Sequence, residues 1–150
     1  SYSFEHCTIA TIANFFQNHR QPAVFIGNTY GGNSAGLQVS FSNSIIHGEG
    51  GLPENEVLIS RTAGFPFSIA FNHSLIKSKD PVNNATLTNV LLNQAPLFDS
   101  INTQRQFYNF RLRSSSPAVN AGTATGLALD LAGLPRRVGT APDLGCYERQ

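Results

Sequence analysis

The sequence predicts an all-β fold, a right-handed parallel β-helix (solenoid) ending in an irregular C-terminal cap, and three observations predict it. The first is a unit written three times: Tyr2-Ser3-Phe4-Glu5-His6-Cys7-Thr8-Ile9, then Val39-Ser40-Phe41-Ser42-Asn43-Ser44-Ile45-Ile46, then Ile69-Ala70-Phe71-Asn72-His73-Ser74-Leu75-Ile76. Each reads apolar-x-Phe-x-[His/Asn]-[Cys/Ser]-x-Ile. The second is an uneven period, 37 residues from Phe4 to Phe41 and 30 from Phe41 to Phe71, which suits one structural turn per repeat joined by loops of variable length. The third is a phase slip inside the unit. Leu37, Val39 and Phe41 alternate with polar Gln38, Ser40 and Ser42 as in a half-buried strand. After Asn43 the inward positions become Ser44 and Ile46, so the strand turns a corner at a residue that tolerates left-handed backbone.

A corner repeated once per unit makes a chain that coils round a prism and stacks like residues over like. Three ladders are expected: His6, Asn43 and His73 along the corner; Phe4, Phe41 and Phe71 before it; Ile9, Ile46 and Ile76 after it. Small inward residues, Cys7, Ser44 and Ser74, follow each corner.

Between the copies the elements follow in order. Ala10 to Phe16 continues apolar and breaks at Gln17 to Pro22, a loop by composition. Ala23 to Ile26 reads as a short buried strand, and Gly31 to Gly36 as a flexible excursion that lengthens the first period. A Gly-rich loop from His47 to Asn55 leads to a strand, Glu56 to Ser60, with Val57 and Ile59 inward. Arg61 to Pro66 returns the chain to the third copy, and Lys77 to Pro81 is a polar turn. Thr86 to Leu92 fits a strand or a short helix equally. Residues 1–94 are therefore expected to form the coils, and 95–150 the last coil and cap of the same domain. Because the chain opens inside a repeat copy, earlier coils of a longer solenoid are an expected partner of its first rung.

Charged residues make up 13% of the chain and the formal net charge is +1, with no basic cluster longer than Arg136-Arg137. Nucleic-acid binding lacks its electrostatic footprint, and no apolar run approaches the ~18 residues of a membrane span. Cys7 and Cys146 are expected to remain free thiols, Cys7 packing as a small hydrophobe.

From Ala95 onward the repeat gives way to an ordered series: Pro96-Leu97-Phe98-Asp99, Phe107-Tyr108-Asn109-Phe110-Arg111-Leu112, Ser116-Pro117-Ala118-Val119-Asn120-Ala121-Gly122, Asp130-Leu131-Ala132-Gly133-Leu134-Pro135-Arg136 and Pro142-Asp143-Leu144-Gly145-Cys146-Tyr147-Glu148. This series resembles the C-terminal region of bacterial secreted right-handed β-helix proteins of the pectate-lyase-like superfold, in particular the group with a choice-of-anchor ending. The resemblance implies an extracellular or cell-surface setting and a terminal segment without catalysis of its own. Two departures are visible: Ala132 stands where the family commonly has a second Asp, and Cys146 where it has Ala. The first weakens any cation-holding role for Asp130.

A β-helix needs its open end covered. The tail, with Phe110, Leu112, Val119, Leu129, Leu131, Leu144 and Tyr147, is expected to lie across that opening. Asp130, Asp143 and Glu148 are expected to pin it by pairing with Arg136 and Arg137.

Candidate chemistry is sparse. His6 and His73 are explained by the corner ladder, His19 falls in a turn, and His47 is expected to be exposed. Without His-x-x-x-His or acidic ligand spacing, no metal or other cofactor is expected. Stacking places Ala10, His47 and Lys77 in one outward column. Glu49, Glu54 and Glu56 form the densest acidic group, expected as a solvated loop. His47, Lys77 and Glu56 are thus the catalytic candidates, and in a chain without Trp, Tyr30 and Tyr108 are the candidates for sugar contact. The leading expectation is a non-catalytic scaffold and cap with a polysaccharide or cell-surface glycan as its partner. The alternatives are a glycan-binding module and part of a polysaccharide lyase or glycoside hydrolase whose main catalytic residues lie upstream.

Overall fold

The computed structural model describes residues 1–150 and is all-β, with fourteen strands and no helix. In chain order they are β1 (Tyr2–Glu5), β2 (Thr8–Ile12), β3 (Val24–Gly27), β4 (Thr29–Tyr30), β5 (Asn33–Ser34), β6 (Leu37–Ser42) and β7 (Ile45–Glu49). There follow β8 (Val57–Ser60), β9 (Phe67–Asn72), β10 (Leu75–Ile76), β11 (Thr86–Thr88), β12 (Leu91–Leu92), β13 (Phe98–Asn102) and β14 (Phe107–Leu112). Three sheets are parallel, in the orders β1-β6-β9-β11, β12-β10-β7-β2 and β3-β8. Two antiparallel hairpins, β4-β5 and β13-β14, complete the set. The Gly31 to Gly36 stretch, expected as a flexible excursion, thus carries the second arm of a hairpin.

Register follows the apolar pattern, because a one-residue slip would turn every buried side chain outward. Tyr2, Phe4 and Glu5 pair with Val39, Phe41 and Ser42, and these with Ile69, Phe71 and Asn72. The rings of Phe4, Phe41 and Phe71 consequently stack, with centroids 4.6 and 5.0 Å apart and planes within 11° of parallel. Phe71 is fully buried, whereas Phe4, on the edge strand, is 37% exposed.

Each passage from the first sheet to the second is made by one residue in left-handed backbone: His6 at φ 51°, Asn43 at 50°, His73 at 44° and Asn89 at 51°. Short polar side chains accept this conformation at little cost. Asn89 belongs to a fourth, abbreviated copy. Leu87 pairs with Phe71, and Leu91 and Leu92 with Leu75 and Ile76, so Thr86 to Leu92 is strand, corner and strand rather than helix.

Two apolar cores result. Between the three parallel sheets lie Ile26, Val39, Phe41, Ile46, Val57, Ile69, Phe71 and Ile76. On the outer face of the second sheet, Ile45 and Leu75 meet Phe98, Leu112, Ala118 and Leu144 from the C-terminal third. The column Thr8, Ile45 and Leu75 faces away from the first core yet is covered, Leu75 being wholly buried. One expectation is corrected here. The tail lies along the side of the stack and reaches back to its first corner, instead of lying across its end. Gly145 N–H donates to Asn43 O at 2.8 Å, and Cys146 N–H to Thr8 Oγ1 at 3.1 Å.

The tail's charges also behave otherwise than expected. Asp130, Asp143 and Glu148 form no ion pair with Arg136 or Arg137. Instead they accept backbone N–H groups that an irregular chain cannot place in a ladder. Asp130 Oδ1 takes those of Ala132 and Leu134 at 2.8 and 2.9 Å, and Oδ2 that of Glu148 at 3.0 Å. Asp143 takes those of Asn120 and Arg149, and Glu148 those of Asp143 and Val138. Burial pushes the Asp130 carboxyl up, but the amides of Leu134, Glu148 and Ala132 outweigh it and hold it below the ordinary carboxylate value. Arg136 is the complementary donor, reaching Gly145 O at 3.0 Å, Cys146 O at 2.9 Å and His6 Nδ1 at 3.1 Å.

Asn43 and His6 join tail to stack. The Asn43 amide donates to Thr123 O at 2.7 Å and accepts from Thr123 N–H at 2.9 Å. Its nitrogen also lies 2.9 Å from His6 Nε2. With the ring buried and the Arg136 guanidinium against it, the imidazole is held neutral, its pKa lowered to about 4. Cys7 and Cys146 are free thiols, both half-buried. Burial, then the neighbouring Cys146, pushes the Cys7 thiol up.

Candidate functional site

The three catalytic candidates, distant in sequence, converge at one edge of the stack. His47 sits in β7 and pairs with Ala10. Lys77 follows β10, its N–H bonded to Ile46 O, and its own carbonyl accepts the N–H of Glu56, the residue before β8. Backbone ladders therefore fix all three, and a fourth residue joins them from the loop after β2. His19 Nε2 lies 3.0 Å from Glu56 Oε2, which also accepts the Ala23 N–H at 3.0 Å. Lys77 Nζ stands 3.6 Å from Glu56 Oε1 and donates to Gly48 O and Pro53 O at 2.9 and 3.0 Å.

The convergence is closed. Glu56 is completely buried and His19 is 3% exposed. At Gly48 a β-carbon would collide with Glu56 and the His19 ring, and at Gly51 with His19 itself. Both positions require glycine because backbone passes directly over the carboxylate and imidazole. Two expectations fail here. Glu56 is not on a solvated loop, and His47 is not exposed. Burial pushes the His47 imidazole below its ordinary value, against the pull of Glu49, whose Oε1 lies 3.2 Å from Nε2. The Phe98 ring of β13 stands nearly perpendicular to it, with centroids 6.3 Å apart. The acidic group is divided accordingly: Glu56 inside, Glu49 half-exposed against His47, and Glu54 paired with Lys79 on the surface at 2.9 Å.

Chemically, such a carboxylate anchors chain. It holds the amide of Ala23, orients His19 and neutralises part of the Lys77 charge, tying the loop between β2 and β3 to the loop between β7 and β8. Acid–base work on a polymer would require these groups to face an opening large enough for the scissile bond. No group of three or more His, Cys, Asp or Glu side chains is disposed to hold a metal ion.

The aromatic candidates are separated. Tyr30 projects from the β4-β5 hairpin, 93% exposed, beside a depression shared with Ser1, Tyr2 and Leu37. Tyr108 lies in β14 over a different cleft, next to β2, and its hydroxyl accepts from Asn14 Nδ2 at 2.8 Å. His73 bonds Asn89 at the exposed end of the corner ladder. Sequence reasoning missed His19. The one available signal was the pair Gly48 and Gly51, which lets large side chains come directly against the backbone of the Gly-rich loop.

No protein-family model, curated protein or solved structure matches the chain. The functional reading therefore rests on the residues themselves.

Proposed function

We propose that the chain is part of a right-handed parallel β-helix in a secreted or cell-surface protein, and that its role is that of a non-catalytic scaffold. Three parallel sheets sharing one core, joined by left-handed corners in register, support the helical reading. Crossovers between parallel strands of one sheet are right-handed in about 98% of cases, which supports the hand. The C-terminal motif series supports membership of the pectate-lyase-like group with a choice-of-anchor ending, and with it the extracellular setting.

One observation carries the non-catalytic reading. Where acid and base meet, Glu56 and His19 are packed shut against two glycines, and His47 is buried beside them while Lys77 spends its ammonium on backbone carbonyls. A group that anchors loops in this way contributes to the stack's rigidity and has no access to a polysaccharide.

The test is a turnover assay of the chain against pectin, alginate, glycosaminoglycans and neutral plant glycans, following unsaturated products by ultraviolet absorbance and hydrolysis by new reducing ends. No turnover is expected. Turnover that disappears in His47→Ala or Glu56→Gln, in a variant that melts with the parent, would overturn the scaffold reading and establish an enzyme.

A further inference from the structure

The cleft beneath Tyr108 has the chemistry of a ligand site. It measures about 200 Å³ and is lined by Ala10, Thr11 and Ile12 of β2, by Gln17, and by Tyr108 and Phe110 of β14, the last two rings nearly parallel with centroids 6.3 Å apart. It lies where the C-terminal hairpin meets the edge of the second sheet, so two separate parts of the chain build its walls.

The rim is held in place. Asn14 Oδ1 accepts the N–H groups of Phe16 and Gln17, both at 2.8 Å, while its Nδ2 donates to the Tyr108 hydroxyl at 2.8 Å. Asn14 N–H in turn donates to Gln17 O at 2.9 Å. A single asparagine therefore closes the turn that presents Phe15 and Phe16 and ties it to the hairpin. Those two rings are 96% and 74% exposed and meet edge to face. Phe107, next to Tyr108, is 54% exposed. Large aromatics fixed in water by a dedicated hydrogen-bond set mark a surface that something covers.

The occupant's chemistry follows from what lines the cleft. None of the six side chains is charged, which disfavours a polyanion or a cation. The Gln17 carboxamide and the Thr11 hydroxyl make no hydrogen bond within the protein, and the Tyr108 hydroxyl, accepting from Asn14, keeps its own proton to donate. Flat aromatic faces beside neutral amide and hydroxyl groups match a ligand with an apolar C–H face and a rim of hydroxyls. We propose that this cleft binds one ring of a neutral saccharide, with Tyr108 and Phe110 as the apolar wall and Gln17 and Thr11 as hydrogen-bonding partners. The site extends the scaffold reading and shares with it only the extracellular setting, since a scaffold without turnover is free to hold a glycan or none.

The test is a titration of the ¹⁵N-labelled chain with cellohexaose, xylohexaose, mannohexaose and laminarihexaose, read as amide shifts, with oligogalacturonate as the anionic arm. Saturable shifts at Thr11, Ile12, Gln17 and Tyr108 with at least one neutral hexaose are expected. Gln17→Ala, at an exposed position, should weaken that binding by about tenfold and leave the melting temperature unchanged. No saturable shift with any neutral hexaose, or binding indifferent to Gln17→Ala, would overturn the site. Tighter binding of oligogalacturonate would overturn the neutral assignment. Sedimentation with phosphatidylcholine vesicles that is lost in a Phe15→Ser, Phe16→Ser double variant would reassign the rim to lipid. None of these outcomes bears on turnover, so the scaffold reading stands or falls by its own assay.

Discussion

The stack and the tail fold by opposite means. In the stack, backbone groups satisfy one another through parallel ladders, and side chains are free to be apolar and identical from level to level, as Phe41 over Phe71 and Ile46 over Ile76 show. In the tail beyond β14 there is almost no ladder, and charged side chains serve the backbone: Asp130 alone accepts three amides, and Arg136 reaches three carbonyls. Hydrophobic stacking is short of specific partners but rich in buried area. The carboxylate network is poor in area, and each member is irreplaceable. The contrast explains why one half of the molecule repeats and the other cannot.

The largest expected effect lies in the stack. Phe71→Ala removes a wholly buried ring from the middle of a stacked ladder and should cost on the order of 3–5 kcal/mol, measured by urea unfolding. If the variant unfolds with the parent, register stacking is not what holds this half.

Next comes the junction between the halves. The His6 imidazole has a folded pKa of about 4 against an ordinary 6.5, so between those values the unfolded chain binds a proton that the folded chain refuses. Stability should therefore fall as pH drops from about 6.5 to about 4 and stay lower below that, by up to about 3 kcal/mol. The lowered His47 pKa acts in the same direction. His6→Asn preserves a corner residue suited to left-handed backbone and should flatten much of this slope. An unchanged slope in that variant would separate the junction from acid sensitivity.

The smallest effect is expected in the tail itself. Asp130→Ala leaves three amides without their acceptor and should cost about 2 kcal/mol. Hydrogen exchange should quicken across 128–148 while the amides of β6 and β9 keep their protection. Equal loss of protection in both regions would show that stack and tail unfold as one unit.

These differences also set what could be read from the sequence. The strand–corner–strand unit was legible because its periodicity and its left-handed residue recur at aligned positions. The fourth copy was not, since Leu87 replaces Phe, Val90 and Leu92 stand in place of the small residue and the Ile, and the segment leading to it is cut short; only the corner asparagine, Asn89, is kept. The tail's place was illegible for a different reason. Ile45 and Leu75 alternate outward, which reads as solvent-facing until another part of the chain is known to cover them. Charge proximity in sequence likewise suggested pairs between Asp130 and Arg136, whereas the backbone donors that claim those carboxylates leave no mark in composition. His19 and Glu56 illustrate the same limit: a buried hydrogen-bonded contact between two distant segments has no period.

The corners have one more consequence. They recur after 37, 30 and then 16 residues, yet the side chains they carry still align. All the slack is taken up in the segments that return the chain from the second sheet to the first, on the side that holds β3 and a hairpin in one passage, β8 in the next, and no strand in the last. Chain length there is thus uncoupled from register, and the fold can gain or shed surface without renegotiating its interior. For evolution, that side is a place where insertions are cheap. For protein engineering, Thr29 to Ser34 and Asn83 to Ala85 are natural points at which to graft new sequence.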